Sequence, residues 1–99
     1  MCDGTYCRTL FANEWRDLVD KDEWDKAEIL AKKEIENYPR FGLTYFYLAL
    51  CHEHKENFEE AIVNFSLCMD VHIGGCRSVK AYLGRERVLE KLKWKIMKM

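Results

Sequence analysis

The 99-residue chain has few of the residues that interrupt regular structure: one proline and five glycines. A barrel or sandwich of many short strands needs more turn residues than this, so the composition favours a few long helices. The sequence also lacks the run of about eighteen apolar residues that a membrane-spanning helix requires. Residues 1–13 contain no apolar stretch typical of a secretory signal peptide. We therefore expect a single globular domain in the cytoplasm, with the nucleus as the alternative.

Catalytic signatures are missing as well. The sequence contains no glycine-rich phosphate loop, no G-x-S-x-G and no H-E-x-x-H. The nearest approach to a metal-binding pair is His52 with His54, but side chains two positions apart on a helix point in different directions. The sequence therefore predicts a protein that is not an enzyme and that uses no metal and no cofactor.

The five cysteines are an odd number and have no zinc-finger spacing. In a reducing compartment, we expect them to be free thiols and not a disulfide framework. Cys51 and Cys68 lie in apolar segments and are predicted to be buried. Cys2 and Cys7 come before the first predicted helix and are the candidates for exposed, oxidisable thiols, whose oxidation state the sequence leaves open.

The net charge of −1 conceals an uneven distribution. Residues 1–76 carry eight Lys/Arg and fifteen Asp/Glu, a balance of −7, whereas residues 77–99 carry eight and two, a balance of +6. An acidic body argues against nucleic acid as the main ligand. The basic end has several interpretations: contact with an anionic membrane surface, docking on an acidic protein surface, or a solvated face suited to a helix C-terminus.

Apolar residues recur at helical spacing in five segments. Thr9 is the expected N-cap of the first segment, and Asn57 with Glu60 forms a capping box before the fourth. Pro39 ends the second segment, because the residue before proline disfavours helical geometry. The predicted helices cover residues 9–21, 24–38, 43–55, 58–71 and 77–97.

The chain resembles itself when it is shifted by 34 residues. The matched pairs keep their chemical character without a gap, and they include Phe11/Tyr45, Trp24/Phe58, Asp25/Glu59, Ala27/Ala61, Ile29/Val63 and Ile35/Met69. A period of 34 residues built from helix–turn–helix units is typical of tetratricopeptide repeats.

The chain resembles the tetratricopeptide repeat family on these residues. The second unit, about residues 42–75, fits better; it matches the family pattern at Tyr45, Leu48, Ala49, Phe58, Ala61, Phe65 and Cys68. The first unit, about residues 8–41, matches at Phe11, Leu18, Trp24, Ala27 and Pro39, and departs at Glu14, Trp15 and Ala31. The resemblance implies an all-α domain over residues 1–99: two antiparallel helical hairpins and a C-terminal capping helix at about residues 77–97, in a short right-handed solenoid.

The family's usual role implies a non-catalytic protein–protein interaction module, a scaffold or adaptor that binds a partner polypeptide in a concave groove. Carried onto this chain, the groove positions are Asn13, Arg16, Phe46, Tyr47, Leu50, His54, Arg77 and Lys80. For Phe46 and Leu50, core packing against the last helix is the alternative.

The last predicted helix carries apolar residues on more than one face. Because about three repeats are usually needed for a stable array, a chain with two repeats and one helix is expected to self-associate. We expect a homodimer closed by this helix, with Leu92, Trp94 and Ile96 as contact residues. The alternative function is therefore a structural subunit that self-associates or docks on a larger assembly through its basic C-terminal helix.

Overall fold

The computed structural model describes residues 4–39, 42–71 and 78–98, and in these ranges it contains five helices and no strand. The all-α fold class is therefore confirmed. The helices are α1 (Gly4–Asp20), α2 (Trp24–Asn37), α3 (Gly42–His54), α4 (Phe58–Val71) and α5 (Ser78–Met97).

The helix bounds agree closely with the sequence pattern except at the start of α1. The second and fourth helices begin at Trp24 and Phe58, as predicted. The first helix begins at Gly4, so the prediction of Thr9 as its N-cap was wrong. Residues 5–9 contain neither proline nor glycine, and nothing in them stops the helix from extending toward the N-terminus.

The turns inside the two hairpins have the same conformation, 34 residues apart. Asp22 and Glu56 occupy the left-handed region, with φ of 63° and 62°. In each turn, the residue just before the next helix donates its backbone N–H to a carbonyl five residues earlier, in the preceding helix. Glu23 donates to the Leu18 carbonyl and Asn57 to the His52 carbonyl, both at 2.8 Å. This pattern is the Schellman ending of a helix. The 34-residue period of the sequence is thus repeated in the hydrogen bonds of the backbone.

Each helix packs mainly against the next one in the chain, so that α1 contacts α2, α2 contacts α3, α3 contacts α4 and α4 contacts α5. Sequential packing of this kind is the arrangement expected of stacked helical hairpins. The right-handed solenoid stays a prediction. Arg40 and Phe41, which join the two units, and residues 72–77 lie outside the described ranges.

Two buried clusters form the interior, and α3 contributes to both. The first core consists of Phe11, Trp15, Ala27, Ala31, Tyr47, Leu48 and Cys51. The second core consists of Ala49, Phe58, Ala61, Phe65, Cys68, Ala81 and Val88. Ala27 and Ala61 are completely buried where the two helices of each hairpin approach closely.

The buried thiols agree with the sequence-based expectation. Cys51 and Cys68 are fully buried, and neither forms a disulfide bond. Burial raises the pKa of the Cys51 thiol to about 11, so this side chain is a neutral packing group at physiological pH. The predictions for Cys2 and Cys7 concern side chains outside the described residues.

Candidate binding cavity

A cavity of about 770 Å³ lies where the ends of α1 and α3 and the starts of α2 and α4 meet the C-terminal half of α5. We call it the tryptophan cavity, because all three tryptophans of the chain line it. Its lining residues are Trp15, Trp24, Leu50, Glu53, His54, Glu56, Phe58, Lys91, Trp94, Lys95 and Lys98.

One wall of the cavity is a set of aromatic rings that hold one another in place. Trp15 is almost fully buried, with its ring 4.6 Å from that of Tyr47 and 6.1 Å, edge to face, from that of Trp24. Trp24 in turn stacks on the His54 imidazole, with centroids 3.9 Å apart and planes inclined by 11°. Rings packed in this way lose little further conformational freedom when a ligand binds, so the wall is preorganised.

The facing wall comes from α5 and is more open. Trp94 is 56% exposed, so much of its indole is uncovered. Phe58 is buried beneath, and the Lys95 ammonium lies 5.6 Å from the centre of its ring, within cation–π range. The cavity thus has an apolar floor between a fixed aromatic wall and an exposed indole.

Three lysines give this wall a positive charge. Lys91, Lys95 and Lys98 follow one another at spacings of four and three, on the same stripe of α5 as Trp94. Within the part of the chain that the structure describes, Lys91 forms an ion pair with Glu53 at 2.8 Å, and neither Lys95 nor Lys98 forms an ion pair. Glu56 also lines the cavity, is exposed and forms no ion pair among the described residues, so the unpaired charges of the lining are two ammonium groups and one carboxylate, a net positive charge.

A half-buried carboxylate, Glu53, attaches α5 to α3. Arg87 donates two hydrogen bonds of 2.6 Å to its two oxygens, and Lys91 donates a third. Burial acts to raise the pKa of Glu53, but the hydrogen bonds from Arg87 and Lys91 outweigh it and hold the pKa below its usual range. The bidentate geometry also fixes the orientation of α5, and hence of Trp94, over the cavity.

A second ion cluster fixes the other side. Lys55, in the α3–α4 turn, donates hydrogen bonds to Glu28 at 2.7 Å and to Asp25, both on α2. Lys32 pairs with Glu28 at 2.8 Å. Burial alone would raise the pKa of Glu28, but hydrogen bonds from Lys32 and Lys55 lower it to about 2. The turn that ends in Phe58 is thus tied to the helix that begins with Trp24.

The structure separates the two neighbouring histidines as their spacing predicts. His52 is buried, whereas His54 is exposed and stacked on Trp24. Burial lowers the pKa of His52, so its ring is neutral near pH 7. Residues 4–39, 42–71 and 78–98 contain no group of three or more His, Cys, Asp or Glu side chains placed to hold a metal ion.

Of the eight residues predicted to line a groove, the structure brings two to the cavity, Leu50 and His54. Tyr47 lies in the first core and is only 6% exposed. Phe46 is half-buried and packs against both cores, with its ring 5.8 Å from that of Phe65 on α4; its predicted packing against the last helix stays a prediction. Leu50 also packs against both cores while it lines the cavity.

The remaining groove residues are not part of the cavity lining. Asn13 and Arg16 on α1 and Lys80 on α5 are exposed. Arg77 lies outside the described residues.

The three predicted oligomer contacts do not share one surface. Leu92 is half-buried and packs against the second core. Trp94 lines the tryptophan cavity, and Ile96 is 60% exposed beside a smaller neighbouring cavity. Leu92 and Ile96 are four positions apart and line that smaller cavity together, whereas Trp94 is two positions from each and is turned about 200° around the helix.

Sequence reasoning missed most of the residues that line the cavity. It used Trp24 and Phe58 only as matches to the repeat pattern, and none of its interpretations of the basic α5 joined the lysines to a cavity. A usable signal was present: Lys91, Trp94, Lys95 and Lys98 recur at i, i+3, i+4 and i+7, which places one aromatic among three cations on one side of α5.

Comparisons with known proteins find no matching family model, no similar curated protein and no similar solved structure. In the described ranges, none of the helices combines the length and the apolar character that crossing a membrane requires.

Proposed function

We propose that this chain is a non-catalytic interaction module of the tetratricopeptide type and that it binds a partner polypeptide in the tryptophan cavity. The observation that carries the proposal is the cavity itself: a space of about 770 Å³ in which three tryptophans from three different helices meet. Its volume falls within the range of sites that enclose a small ligand or a few anchoring side chains.

Three features support binding over packing as the role of this surface. The indole of Trp94 is uncovered, although tryptophan is costly to leave in water. The opposite wall is preorganised by the stack of Trp24 on His54. Two ion clusters, around the half-buried Glu28 and Glu53, join the helices that form the walls. Exposed aromatic side chains in a preformed pocket are typical anchors of protein recognition.

The charge of the cavity defines the chemistry of the partner. Lys95 and Lys98 offer cations beside an apolar floor, so the complementary segment carries an aromatic or aliphatic anchor flanked by carboxylates. The lysine ammonium groups would pair with these carboxylates while the anchor side chain contacts Trp94. This arrangement favours an acidic, amphipathic peptide over a basic one.

The test uses two synthetic hexapeptides, Glu-Glu-Leu-Phe-Glu-Glu and Lys-Lys-Leu-Phe-Lys-Lys, both capped at their ends. Neither contains tryptophan, so binding is followed by the change in the protein's own tryptophan emission. We expect the acidic peptide to bind and the basic peptide to bind at least about tenfold more weakly, a difference that shrinks as salt rises.

The decisive variant is Trp94→Ala, because Trp94 is exposed and its removal leaves both cores intact. Calorimetry, which does not depend on the lost fluorophore, should show a loss of binding of about tenfold or more. Ile29→Ala is the matched control, since Ile29 is 66% exposed on α2 and does not line the cavity. Equal affinity of Trp94→Ala and the unaltered protein for the acidic peptide would contradict the proposal.

A further inference from the structure

Helix α5 has an apolar outer face that no other described helix covers. It consists of Val79, Tyr82, Leu83, Leu89, Ile96 and Met97, whose exposed fractions run from 41% to 68%. These residues recur at helical spacing on one side of α5. We call this stripe the outer face.

The outer face lies opposite the side by which α5 packs on the rest of the chain. The inward side carries Ala81, Gly84 and Val88, all buried. At about 100° per residue, the centre of this inward stripe and the centre of the outer face are roughly 150° apart. Ile96 lies at the edge of the stripe, where it lines the smaller cavity beside the start of α4, and the other exposed residues form a second contact surface away from the lining of both cavities.

Three charged residues, Glu86, Glu90 and Lys93, lie within or beside the outer face, and all are exposed. Glu86 and Lys93 lie seven residues apart, at equal distances from the midpoint between positions 89 and 90. About the same midpoint, Tyr82 is symmetric with Met97. These two pairs point in nearly the same direction, so the centre of the stripe is complementary to a reversed copy of itself.

We propose that a second copy of this chain covers the outer face, with the two α5 helices antiparallel about a two-fold axis between residues 89 and 90. In that register, Glu86 faces Lys93 of the other copy twice, and Tyr82 packs beside Met97. The symmetry makes the interface isologous, so that it closes with two chains. The dimer does not depend on peptide binding in the tryptophan cavity.

The charges around the outer face favour a protein over a membrane as the covering surface. A helix that lies on an anionic bilayer places cations on its polar face and along the edges of its apolar stripe. Here Glu86, Glu90 and a single cation, Lys93, lie within or beside the stripe, while Lys91, Lys95 and Lys98 lie on the side of the cavity.

The first test is the mass of the full chain by light scattering at tens of micromolar protein. The expected value is twice the 11.8 kDa of the chain. A monomeric mass would overturn the proposal, and so would a stable trimer or an open-ended series of larger species, because an isologous contact closes at two.

The second test establishes the orientation by zero-length cross-linking with a carbodiimide. The reagent activates the Glu86 carboxyl, the Lys93 amine of the other copy displaces it to form an amide, and the reagent leaves as a urea. Within one helix these two residues are about 10.5 Å apart along the axis, too far for a direct amide bond. We expect a dimer band whose digest contains the Glu86–Lys93 amide; a dimer band linked only through other residues would contradict this register.

Charge reversal separates this register from other dimers. Glu86→Lys and Lys93→Glu should each raise the dissociation constant of the dimer about tenfold, because like charges then face each other at two places. The double variant should restore dimerisation to near the original level. Glu36→Lys, at an exposed position of α2, makes the same change in charge and should have no comparable effect.

Failure of this proposal is distinguishable from failure of the proposed function. Trp94→Ala should leave the dimer intact, and Glu86→Lys should leave the affinity for the acidic hexapeptide unchanged. A Glu86→Lys protein that remains as dimeric as the original would overturn the register.

Discussion

The two hairpins fill their interiors with the same kinds of side chain but from opposite helices. In the first hairpin, α1 supplies the large Trp15 and α2 supplies Ala31. At the positions 34 residues later, α3 supplies Ala49 and α4 supplies the large Phe65. All four are buried, with Trp15 the most exposed at 6%. The first unit departs from the tetratricopeptide pattern at Trp15 and at Ala31, and the two departures compensate for each other in volume.

This exchange has consequences for the surfaces on either side. Because the large side chain of the first hairpin is on α1, Trp15 reaches the edge of the tryptophan cavity as well as the first core. Because the large side chain of the second hairpin is on α4, the Phe65 ring packs directly on the backbone of α5 at Gly84. Close packing requires a given total volume at a seam, but it does not require that a particular helix provide it.

The largest expected effect comes from deleting the large side chain of either hairpin. Trp15→Ala and Phe65→Ala should each lower the free energy of unfolding by about 3–5 kcal/mol, since each leaves a cavity in a closed core. Chemical denaturation followed by circular dichroism measures both.

The compensation itself is tested by making the first hairpin resemble the second. Trp15→Ala combined with Ala31→Phe should recover about 1–2 kcal/mol relative to Trp15→Ala alone, because a new ring on α2 fills the space left on α1. Ala31→Phe in the original background should destabilise by about 1–3 kcal/mol through overpacking. A double variant as unstable as the sum of its single changes would show that the exchange is not compensatory.

An intermediate effect is expected at Gly84, which has no equivalent in the first hairpin. A Cβ at this position would lie 2.6 Å from Cζ of Phe65, inside contact distance. Gly84→Ala should therefore destabilise the chain by about 1–2 kcal/mol, although the same change in an exposed helix stabilises it by about 1 kcal/mol. In a Phe65→Leu background the smaller side chain makes room, and the sign should reverse.

Acid should act on the first hairpin through Glu28. Its pKa is about 2 in the folded chain against an ordinary 4.5, so the stabilisation is complete above about pH 4.5 and is lost as the pH falls toward 2. Thermal unfolding across this range should show a steeper loss of stability for the original protein than for Glu28→Gln, which cannot ionise. Parallel curves for the two proteins would contradict the role of the Lys32 and Lys55 hydrogen bonds.

The smallest effects concern the two hairpin turns, which share one backbone conformation. Glu56→Gly should stabilise the chain by about 0.5–1 kcal/mol, because glycine adopts a positive φ without steric cost. Asp22→Gly should change stability less, since aspartate tolerates the left-handed region better than glutamate does. Denaturation midpoints of the two variants provide the comparison, and a larger gain at Asp22 than at Glu56 would contradict it.

The helices were largely predictable from the sequence, and the candidate site was largely not. Four of the five helices were expected within one or two residues of their observed ends in the described ranges, because apolar periodicity and the residues around each turn are local signals. The N-terminus of α1 was misjudged because the regular spacing of apolar residues begins only at Leu10, so the sequence pattern does not show the helical turns before it. Among the predicted groove residues that the structure describes, Leu50 and His54 alone line the cavity, since the resemblance indicates which helices face a groove but not how deeply each side chain is buried.

The sequence by itself determined the helix–turn–helix period, the all-helical class and the apolar character of both sides of α5, because each depends on residues close together in the chain. Only the tertiary structure decided that Trp15, Trp24 and Trp94 meet around one cavity, that Tyr47 is a core residue, and that Glu53 joins α3 to α5. These outcomes depend on the angle and register at which distant helices pack. A change of one residue in register turns a helical side chain by about 100°, enough to move it from a core to a surface.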